Sequence, residues 1–484
     1  MPNAAPVHLH KALDGLALNP ALPPSLVRRF LGYRRGFGAV AKRADLTGDL
    51  IAEIIETGDR WLNHSLALNG GLPDAFRKRL ATYPDPAVRA ALVVGGENAS
   101  REIFELLIGD PDAQVRKYLA QSKHVPADLR VTLAADPDPE IRAELARWWP
   151  QAPEHVRRTL LTDTDGDVRA AACSTYYAWS PYPVPPPDLI PALLADPVTR
   201  AGVVRHLSLD HETATRLAAD PDPDVRRELA EHPELPPELR DVLGADPSAR
   251  VRVGIFARAD TPESLRAAIH SGILATPDRL SAGSADEETA DREIDDYLAR
   301  IELSMLRLSW VTADPLPHLD SPYLCFRISA AACETLPPDA VARLLNDRSS
   351  PVRTTMARHA AQLVDAATAE RIERDYRAEK RTPWRPADDF AFAPETLRRF
   401  ATDPDPRLRS LAPRDPDLPA ELAERLAADP DAVVRRQVAA HRNLPIPVLI
   451  GLLADQNGWV ASAAAGSSQL PADQMERLLR LAGL

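Results

Sequence analysis

One short pattern recurs along most of this 484-residue chain at a nearly constant interval. The segments LAADPDPEIRAELA at 133–146 and LAADPDPDVRRELA at 217–230 are near copies of each other, and LAADPDAVVRRQVA at 426–439 follows the same pattern. An arginine marks each copy, and neighbouring marks are mostly 26 or 27 residues apart. The marks are Arg89, Arg116, Arg142, Arg169, Arg226, Arg252, Arg327, Arg353, Arg409 and Arg435. Because a fixed period of about 20–50 residues is typical of repeat architectures, the pattern predicts an array of small stacked units.

Each copy is predicted to form two short helices. In DPDPEIRAELA, Asp138 can cap a helix N-terminus and Pro139 suits the first helical position, where no N–H is needed. A second segment, such as LPPELRDVL at 235–243, begins with proline and carries its apolar residues on one face. Neither helix can bury that face alone, so neighbouring units must stack. The predicted fold is all-α, a right-handed α-solenoid of about 18 two-helix units with a period of about 26 residues.

The amino-acid composition fits this arrangement. The chain contains 47 prolines and only 21 glycines. The scarcity of glycine excludes a collagen-like protein, and a hydrophobic content of 45% argues against disorder of the whole chain. Proline at the start of both helices of a unit therefore accounts for the excess.

The repeated pattern D-P-x-x-x-V-R-x-x-L-A, followed by N/H-P-x-L-P, resembles the leucine-rich repeat variant family, and its first half also resembles HEAT-like repeats. The resemblance covers roughly residues 15–270 and 320–484, and it implies a helical solenoid without implying one particular activity. It suggests an N-terminal solenoid at 1–270, an acidic insertion with a longer helix at 271–318, and a C-terminal solenoid at 319–484. The founding member of the variant family carries an N-terminal iron–sulfur domain. That feature is not expected here, because no cysteine precedes Cys173.

Charge and motifs limit the possible functions. The net charge of −12 argues against general binding of polyanions, so nucleic acid is not an expected partner. The three cysteines form no CxxC pair, and no phosphate-binding loop, HExxH or GxSxG motif occurs. We therefore expect no enzymatic activity, no cofactor and no metal. No apolar run is long enough to span a membrane and no secretory signal is recognisable, so the expected location is the cytoplasm.

An aspartate lies six residues before the arginine mark in most copies. Because arginine has five donors, it can tie one unit to the next, and we predict a structural Asp–Arg ladder between stacked units. The alternative is a row of arginines that bind a partner. The ladder residues expected are Asp136, Arg142, Asp220, Arg226, Asp246, Arg252, Asp403, Arg409, Asp429 and Arg435.

Three stretches depart from the repeat. Residues 272–300 are acidic and lead into a longer helix, and they could be either a solvated insertion or a docking segment. The other two are candidate partner-binding sites. The first is a group of aromatic residues within 35 positions, which could form a hot spot because tryptophan and tyrosine are enriched at such sites. Its members are Trp148, Trp149, Tyr176, Tyr177, Trp179 and Tyr182. The second includes Arg381, Trp384 and Arg385, which could bind an acidic or phosphate-bearing group. The aromatic group could equally fill an irregular turn, and the basic group could pair with nearby carboxylates.

These observations favour a non-enzymatic repeat scaffold that binds a protein or peptide through its concave or aromatic-rich surface. One alternative is a HEAT-like nucleic-acid-binding protein resembling the alkylpurine DNA glycosylases, which use aromatic and basic residues on a solenoid surface. Another is a structural or regulatory subunit of a larger complex. Salt-dependent binding to DNA would distinguish the nucleic-acid reading from the other two.

Overall fold

The computed structural model describes residues 7–33, 38–173, 184–275, 287–376 and 385–484, with the side chains of 287–289 not described. Within these ranges the chain forms α-helices, short 3-10 helices and turns, and no β-strand. Successive helices pack against one another as short hairpins. The prediction of an all-α stack of helical units is confirmed, while the number of units stays a prediction.

The α-helices are mostly between five and ten residues long. Those of the N-terminal part are α1 (Leu9–Ala17), α2 (Pro24–Arg29), α3 (Gly48–Glu56), α4 (Arg60–Ala67), α5 (Asp74–Ala81), α6 (Pro86–Val94), α7 (Arg101–Leu107), α8 (Ala113–Gln121), α9 (Ala127–Arg130) and α10 (Pro139–Trp148). Those of the middle part are α11 (Glu154–Leu161), α12 (Gly166–Cys173), α13 (Ile190–Ala195), α14 (Arg200–Val204), α15 (His211–Ala218), α16 (Pro223–Ala230), α17 (Pro237–Gly244), α18 (Ala249–Ala257), α19 (Glu263–Ala275), α20 (Glu287–Met305), α21 (Ser309–Ala313), α22 (Leu324–Ala331), α23 (Pro338–Leu345), α24 (Ser350–His359) and α25 (Ala366–Asp375). Those of the C-terminal part are α26 (Pro394–Phe400), α27 (Pro406–Arg409), α28 (Ala420–Ala427), α29 (Ala432–Val438), α30 (Ile446–Leu452), α31 (Gly458–Ala465) and α32 (Ala472–Leu481).

Short 3-10 helices complete several turns. They are Phe30–Gly32, Ala39–Lys42, Gly96–Asn98, Val131–Ala135, Leu316–His318, Ala361–Leu363, Pro386–Asp388 and Ala412–Arg414.

The first helix of many units begins with an aspartate that caps it. Asp222 accepts the backbone N–H of Asp224, with Pro223 at the first helical position, and Asp405 caps α27 in the same way ahead of Pro406. Such a cap satisfies a backbone donor that the helix itself leaves unpaired. The D-P pairs of the sequence therefore mark helix starts, as predicted from the repeat.

The chain folds into two compact units. We call Met1–Ile141 together with Ala391–Leu484 the terminal unit, and Arg142–Phe390 the central unit. In the terminal unit the first helices stack in the order α27, α29, α31, α1, Ala39–Lys42, α4, α6 and α8. The beginning of the chain therefore packs directly on its end, through α1 and α31.

In the central unit the first helices stack in the order α14, α16, α18, α20, α22 and α24. Helix α20 has 19 residues, about twice the length of its neighbours, and lies between α18 and α22. It comes from the segment 271–318 that interrupts the repeat. The long helix thus occupies a place in the stack that a short repeat helix would otherwise hold.

Candidate functional site

The arginine marks connect one unit to the next. Arg226 donates from Nε and Nη2 to the two carboxylate oxygens of Asp246, at 2.7 and 2.9 Å. Its Nη1 donates to the backbone carbonyl of Asp220, six residues earlier, at 2.8 Å. One guanidinium therefore holds the turn of its own unit and the carboxylate of the following unit, with only 12% and 5% of the two side chains exposed.

The same pairing recurs in both compact units, with closest N···O distances of 2.6–2.9 Å. The pairs are Arg89–Asp110, Arg116–Asp136, Arg142–Asp163, Arg169–Asp196, Arg200–Asp220, Arg226–Asp246, Arg327–Asp347, Arg409–Asp429 and Arg435–Asp455. Asp403 takes part through its backbone carbonyl, which accepts from Arg409 Nη1 at 2.9 Å. Sequence spacing missed Arg200 and Asp196, because Arg200 lies 31 residues after Arg169 and only four after Asp196. The stabilising role of this ladder remains a prediction.

Arg252 departs from the pattern. Its Nη1 still donates to the carbonyl of Asp246 at 2.6 Å, but its nearest carboxylate is that of Asp296 on α20, at 3.8 Å. Another α20 residue, Asp295, accepts the Ala249 backbone N–H at the start of α18 at 2.6 Å. The acidic residues of the longer helix therefore dock it onto α18.

The predicted aromatic group is described only in part. Trp148 is 38% exposed, and its Nε1 donates to a Glu144 carboxylate oxygen at 2.9 Å. Trp149 lines a small apolar pocket with Cys173 and His206, and burial raises the pKa of the Cys173 thiol to about 12. The other four members, Tyr176, Tyr177, Trp179 and Tyr182, lie outside the described residues. The two tryptophans thus differ, since Trp148 faces solvent and Trp149 lines a pocket.

The predicted basic group is also described only in part. Arg381 and Trp384 lie outside the described residues. Arg385 donates from Nε to the carboxylate of Glu373 at 2.8 Å, and that carboxylate is 1% exposed. The same carboxylate also accepts the Ala387 backbone N–H at 2.8 Å. Arg385 is therefore engaged in an internal ion pair that fixes the end of α25 to the following turn.

An open cleft of about 740 Å³ lies in the central unit, bordered by α16, α18, the end of α20 and the start of α21. Its walls combine apolar and charged side chains. The lining residues are Arg227, Glu231, Val253, Gly254, Ala257, Arg258, Glu302, Met305, Leu306, Arg307, Leu308, Ser309 and Trp310. A cleft of this volume has room for a few side chains of a ligand.

An apolar stripe runs along α20 and ends at the cleft. Ile294, Leu298, Ile301 and Met305 are each between 36% and 67% exposed. Their spacing of four, three and four residues places them on one face of the helix. The opposite face, which includes Ala299 and Leu303, is buried. Helix α20 therefore has two apolar faces, and only one of them is covered by the central unit.

The charged groups of the cleft form a short network. Arg227 lies 3.3 Å from the Glu231 carboxylate and 3.1 Å from the Glu302 carboxylate. Arg258 pairs with Asp260 at 2.8 Å. Desolvation by the surrounding protein raises the pKa of Glu231, even though 42% of its side chain is exposed.

Arg307 differs from the other cations of the cleft. Its side chain is exposed, and its Nη1 donates to the backbone carbonyls of Met305 and Leu306 at 3.1 and 3.0 Å. Among the residues that the structure describes, no carboxylate lies within salt-bridge distance of it. Desolvation lowers the pKa of the Arg307 guanidinium from its ordinary value, but it remains charged at neutral pH.

Aromatic packing fixes the wall behind the cleft. Trp310 donates from Nε1 to the Ala257 carbonyl at 2.9 Å, and its ring meets those of His318 and Phe326 edge-on at 5.2 and 5.3 Å. The guanidinium of Arg266 lies 5.7 Å from the Trp310 ring. Burial lowers the pKa of His318, so this imidazole is neutral at neutral pH. The wall is therefore held by hydrogen bonding and ring packing together.

The sequence predicted an insertion that could be solvated or could dock, but none of the cleft residues was among the predicted site residues. The four apolar residues of α20 follow a helical spacing within the predicted insertion and longer helix. The cleft itself joins residues from four helices that are up to 83 positions apart, from Arg227 to Trp310. No local motif could indicate it.

The comparisons with known proteins identify no family for this chain. No family model matches it, and no curated protein matches it significantly. A crystal structure of Kap121p bound to RanGTP is similar to it with 13% identity and a TM-score of 0.24, covering 94% of this chain and 54% of that protein. The chain thus spans about half the length of that protein, and a TM-score this low supports no inference about function. In the described part, no helix is long and apolar enough to cross a membrane, and no group of three or more His, Cys, Asp or Glu side chains is arranged to hold a metal ion.

Proposed function

We propose that this chain is a non-enzymatic repeat scaffold of the leucine-rich repeat variant or HEAT-like kind, which binds a protein or peptide partner. The observation that carries the proposal is the exposed apolar stripe of α20, which leads into the open cleft of the central unit. Soluble proteins rarely leave a contiguous apolar surface of this kind without a use. The ladder arginines are paired within the array, so they do not form a free cationic surface.

The stripe has the dimensions of a helix-binding surface. From Ile294 to Met305 it spans about 16 Å, given a rise of roughly 1.5 Å per residue. Partner helices commonly dock on such surfaces through apolar residues at i, i+4 and i+7. The exposed Trp148 offers a second contact surface in the same compact unit.

The nucleic-acid alternative draws less support from the cleft. Its lining holds three arginines, but Arg227 is paired with Glu231 and Glu302 and Arg258 with Asp260, so the described cleft presents no row of unpaired cations to a phosphate backbone. The indole N–H of Trp148 is already donated to Glu144. A role as a structural subunit of a larger complex remains compatible with the proposal, because such a subunit also needs a docking surface.

Quantitative affinity purification from the native source, followed by mass spectrometry, tests the proposal. The Leu298→Glu/Ile301→Glu variant places two charges on the stripe and should lose the proteins that the unchanged chain captures. Val433→Glu is the matched control, because it changes an apolar side chain of the terminal unit that is 56% exposed. An unchanged set of captured proteins in the stripe variant would contradict the proposed site. Capture that depends on nuclease-sensitive material would favour the nucleic-acid alternative.

A further inference from the structure

We infer that the partner of the central unit is an acidic amphipathic helix, whose apolar face lies on the α20 stripe and whose carboxylate pairs with Arg307. This inference rests on the proposed function and adds the chemistry of the partner. It is drawn from the charge balance of the cleft, from the position of the stripe and from the size of the opening.

Among the described residues, the charges that line the cleft leave the guanidinium of Arg307 without a carboxylate partner. Arg227 is shared between Glu231 and Glu302, and Arg258 is paired with Asp260. Arg307 contacts only backbone carbonyls among the described residues. The Arg307 side chain is exposed, and a carboxylate can accept two guanidinium donors at once. The missing counter-ion is therefore an Asp or Glu side chain of the ligand.

The stripe and the cation are adjacent. Met305 is the last residue of the stripe, 67% exposed, and Arg307 follows it by two positions. Both line the same cleft, together with the apolar side chains of Leu306 and Trp310. A helix that places apolar residues on Ile294, Leu298 and Ile301 would bring its end to this opening. An acidic residue within one turn of its last apolar contact could then reach Arg307.

A purely anionic ligand does not fit this surface as well. Four exposed apolar side chains gain nothing from contact with phosphates or with a fully charged peptide, since burial of apolar area supplies the main favourable term. Arg227 and Arg258 already have carboxylate partners, so the described cleft has no further unpaired cation for a second negative charge. A partner helix with one acidic residue beside its apolar face can cover the apolar side chains of the stripe and supply a single carboxylate to Arg307.

Selection from a phage-displayed library of random peptides of about 16 residues, with the full chain as bait, tests the inference. The selected sequences should carry apolar residues at i, i+4 and i+7 and an Asp or Glu near one end of that face. The affinity of one selected peptide, labelled with fluorescein, is then measured by fluorescence anisotropy. Arg307→Gln should weaken it about tenfold, as expected for one charge-assisted hydrogen bond, and Met305→Glu should weaken it at least as much.

Arg348→Gln is the matched control, because it removes an exposed arginine of the central unit outside the cleft and should leave the affinity unchanged. Circular dichroism and thermal unfolding of each variant check that the fold is kept. Peptides that are sensitive to Met305→Glu but carry no carboxylate and ignore Arg307→Gln would overturn the acidic partner and leave the proposed function intact.

Two further outcomes would overturn the inference in other ways. If the library yields no binder, or binders that are insensitive to Met305→Glu, both the inferred partner and the proposed binding surface are wrong. If light scattering shows a dimer that Met305→Glu dissociates, the stripe is covered by a second copy of the chain and the inferred partner is wrong.

Discussion

Two contacts between stacked helices of the terminal unit are held together by different interactions. Where α27 stacks on α29, Arg409 donates to both carboxylate oxygens of Asp429 at 2.6 and 2.9 Å, as elsewhere in the ladder. Where α31 stacks on α1, the position of the arginine mark is held by Ala461, 26 residues after Arg435. We call these the ladder joint and the closing joint. Their difference shows that the stacking geometry does not itself require the ion pair.

The closing joint depends on close approach of backbones. A Cβ atom added at Gly15 would lie 1.9 Å from the Ser462 carbonyl oxygen, which is far inside contact distance. The fully buried side chain of Asn19 donates from Nδ2 to the carbonyls of Ala465 and Ser467, at 2.8 and 2.7 Å. In place of a ladder ion pair, the closing joint has the missing side chain of Gly15, the Asn19 amide and the Lys11 ammonium 4.5 Å from the Trp459 ring.

The largest effect is expected for Gly15→Ala. Alanine normally stabilises a helix interior by up to about 1 kcal/mol relative to glycine, but here its Cβ meets backbone atoms that cannot rotate away. We expect a loss of about 3 kcal/mol in the free energy of unfolding, measured by urea denaturation. Gly451→Ala in α30 is the control, because open space surrounds that position and the substitution should be neutral or stabilising. Equal effects of the two substitutions would contradict the close contact at the closing joint.

A smaller effect is expected at the ladder joint. Arg409→Ala leaves the Asp429 carboxylate, whose side chain is 7% exposed, without its main partner, and should cost about 2 kcal/mol of unfolding free energy. A double-mutant cycle with Asp429→Ala should give a coupling of about 1–2 kcal/mol. The exposed pair Arg480–Glu476 serves as control and should show no measurable coupling. A coupling energy near zero between Arg409 and Asp429 would favour the alternative that the repeated arginines bind a partner and do not stabilise the fold.

The smallest effect on stability is expected from lowering the pH. Burial tends to raise the pKa of Asp429, but hydrogen bonds from Arg409 and from the Asp431 backbone hold it below its ordinary value of 3.8, and Asp455 behaves alike. Because the folded-state pKa is the lower one, this stabilisation is complete above pH 3.8 and is lost as the pH falls below it.

Hydrogen exchange, corrected for its intrinsic pH dependence, should therefore show α27 and α29 losing protection first in acid. Helix α1 should keep its protection longer, because the contacts of Gly15 and Asn19 carry no charge. Simultaneous loss in all three helices would show that the two joints do not differ in their dependence on charge.

The sequence carries a repeated signal for the ladder joint and none for the closing joint. The recurrence of Asp and Arg at fixed spacing indicated the ladder because each pair joins consecutive units, such as Arg226 and Asp246. Gly15 and Ser462 lie at opposite ends of the chain, and neither belongs to a motif. The proposed binding site also combines a feature visible in the sequence with one that is not. The apolar residues of the α20 stripe follow helical spacing in the sequence, whereas the surroundings of Arg307 are known only from the structure.

The sequence by itself determined that the chain is a stack of short helices, because capping aspartates, prolines at helix starts and apolar spacing are local properties. It also indicated which polar residues repeat from unit to unit. Only the tertiary structure decided that the first helix packs on the last repeat and that a long helix takes a place in the stack. It alone showed an apolar stripe beside Arg307, an arginine with no carboxylate within salt-bridge distance among the described residues. These features depend on which surfaces remain uncovered after packing, and that is fixed by contacts between distant residues.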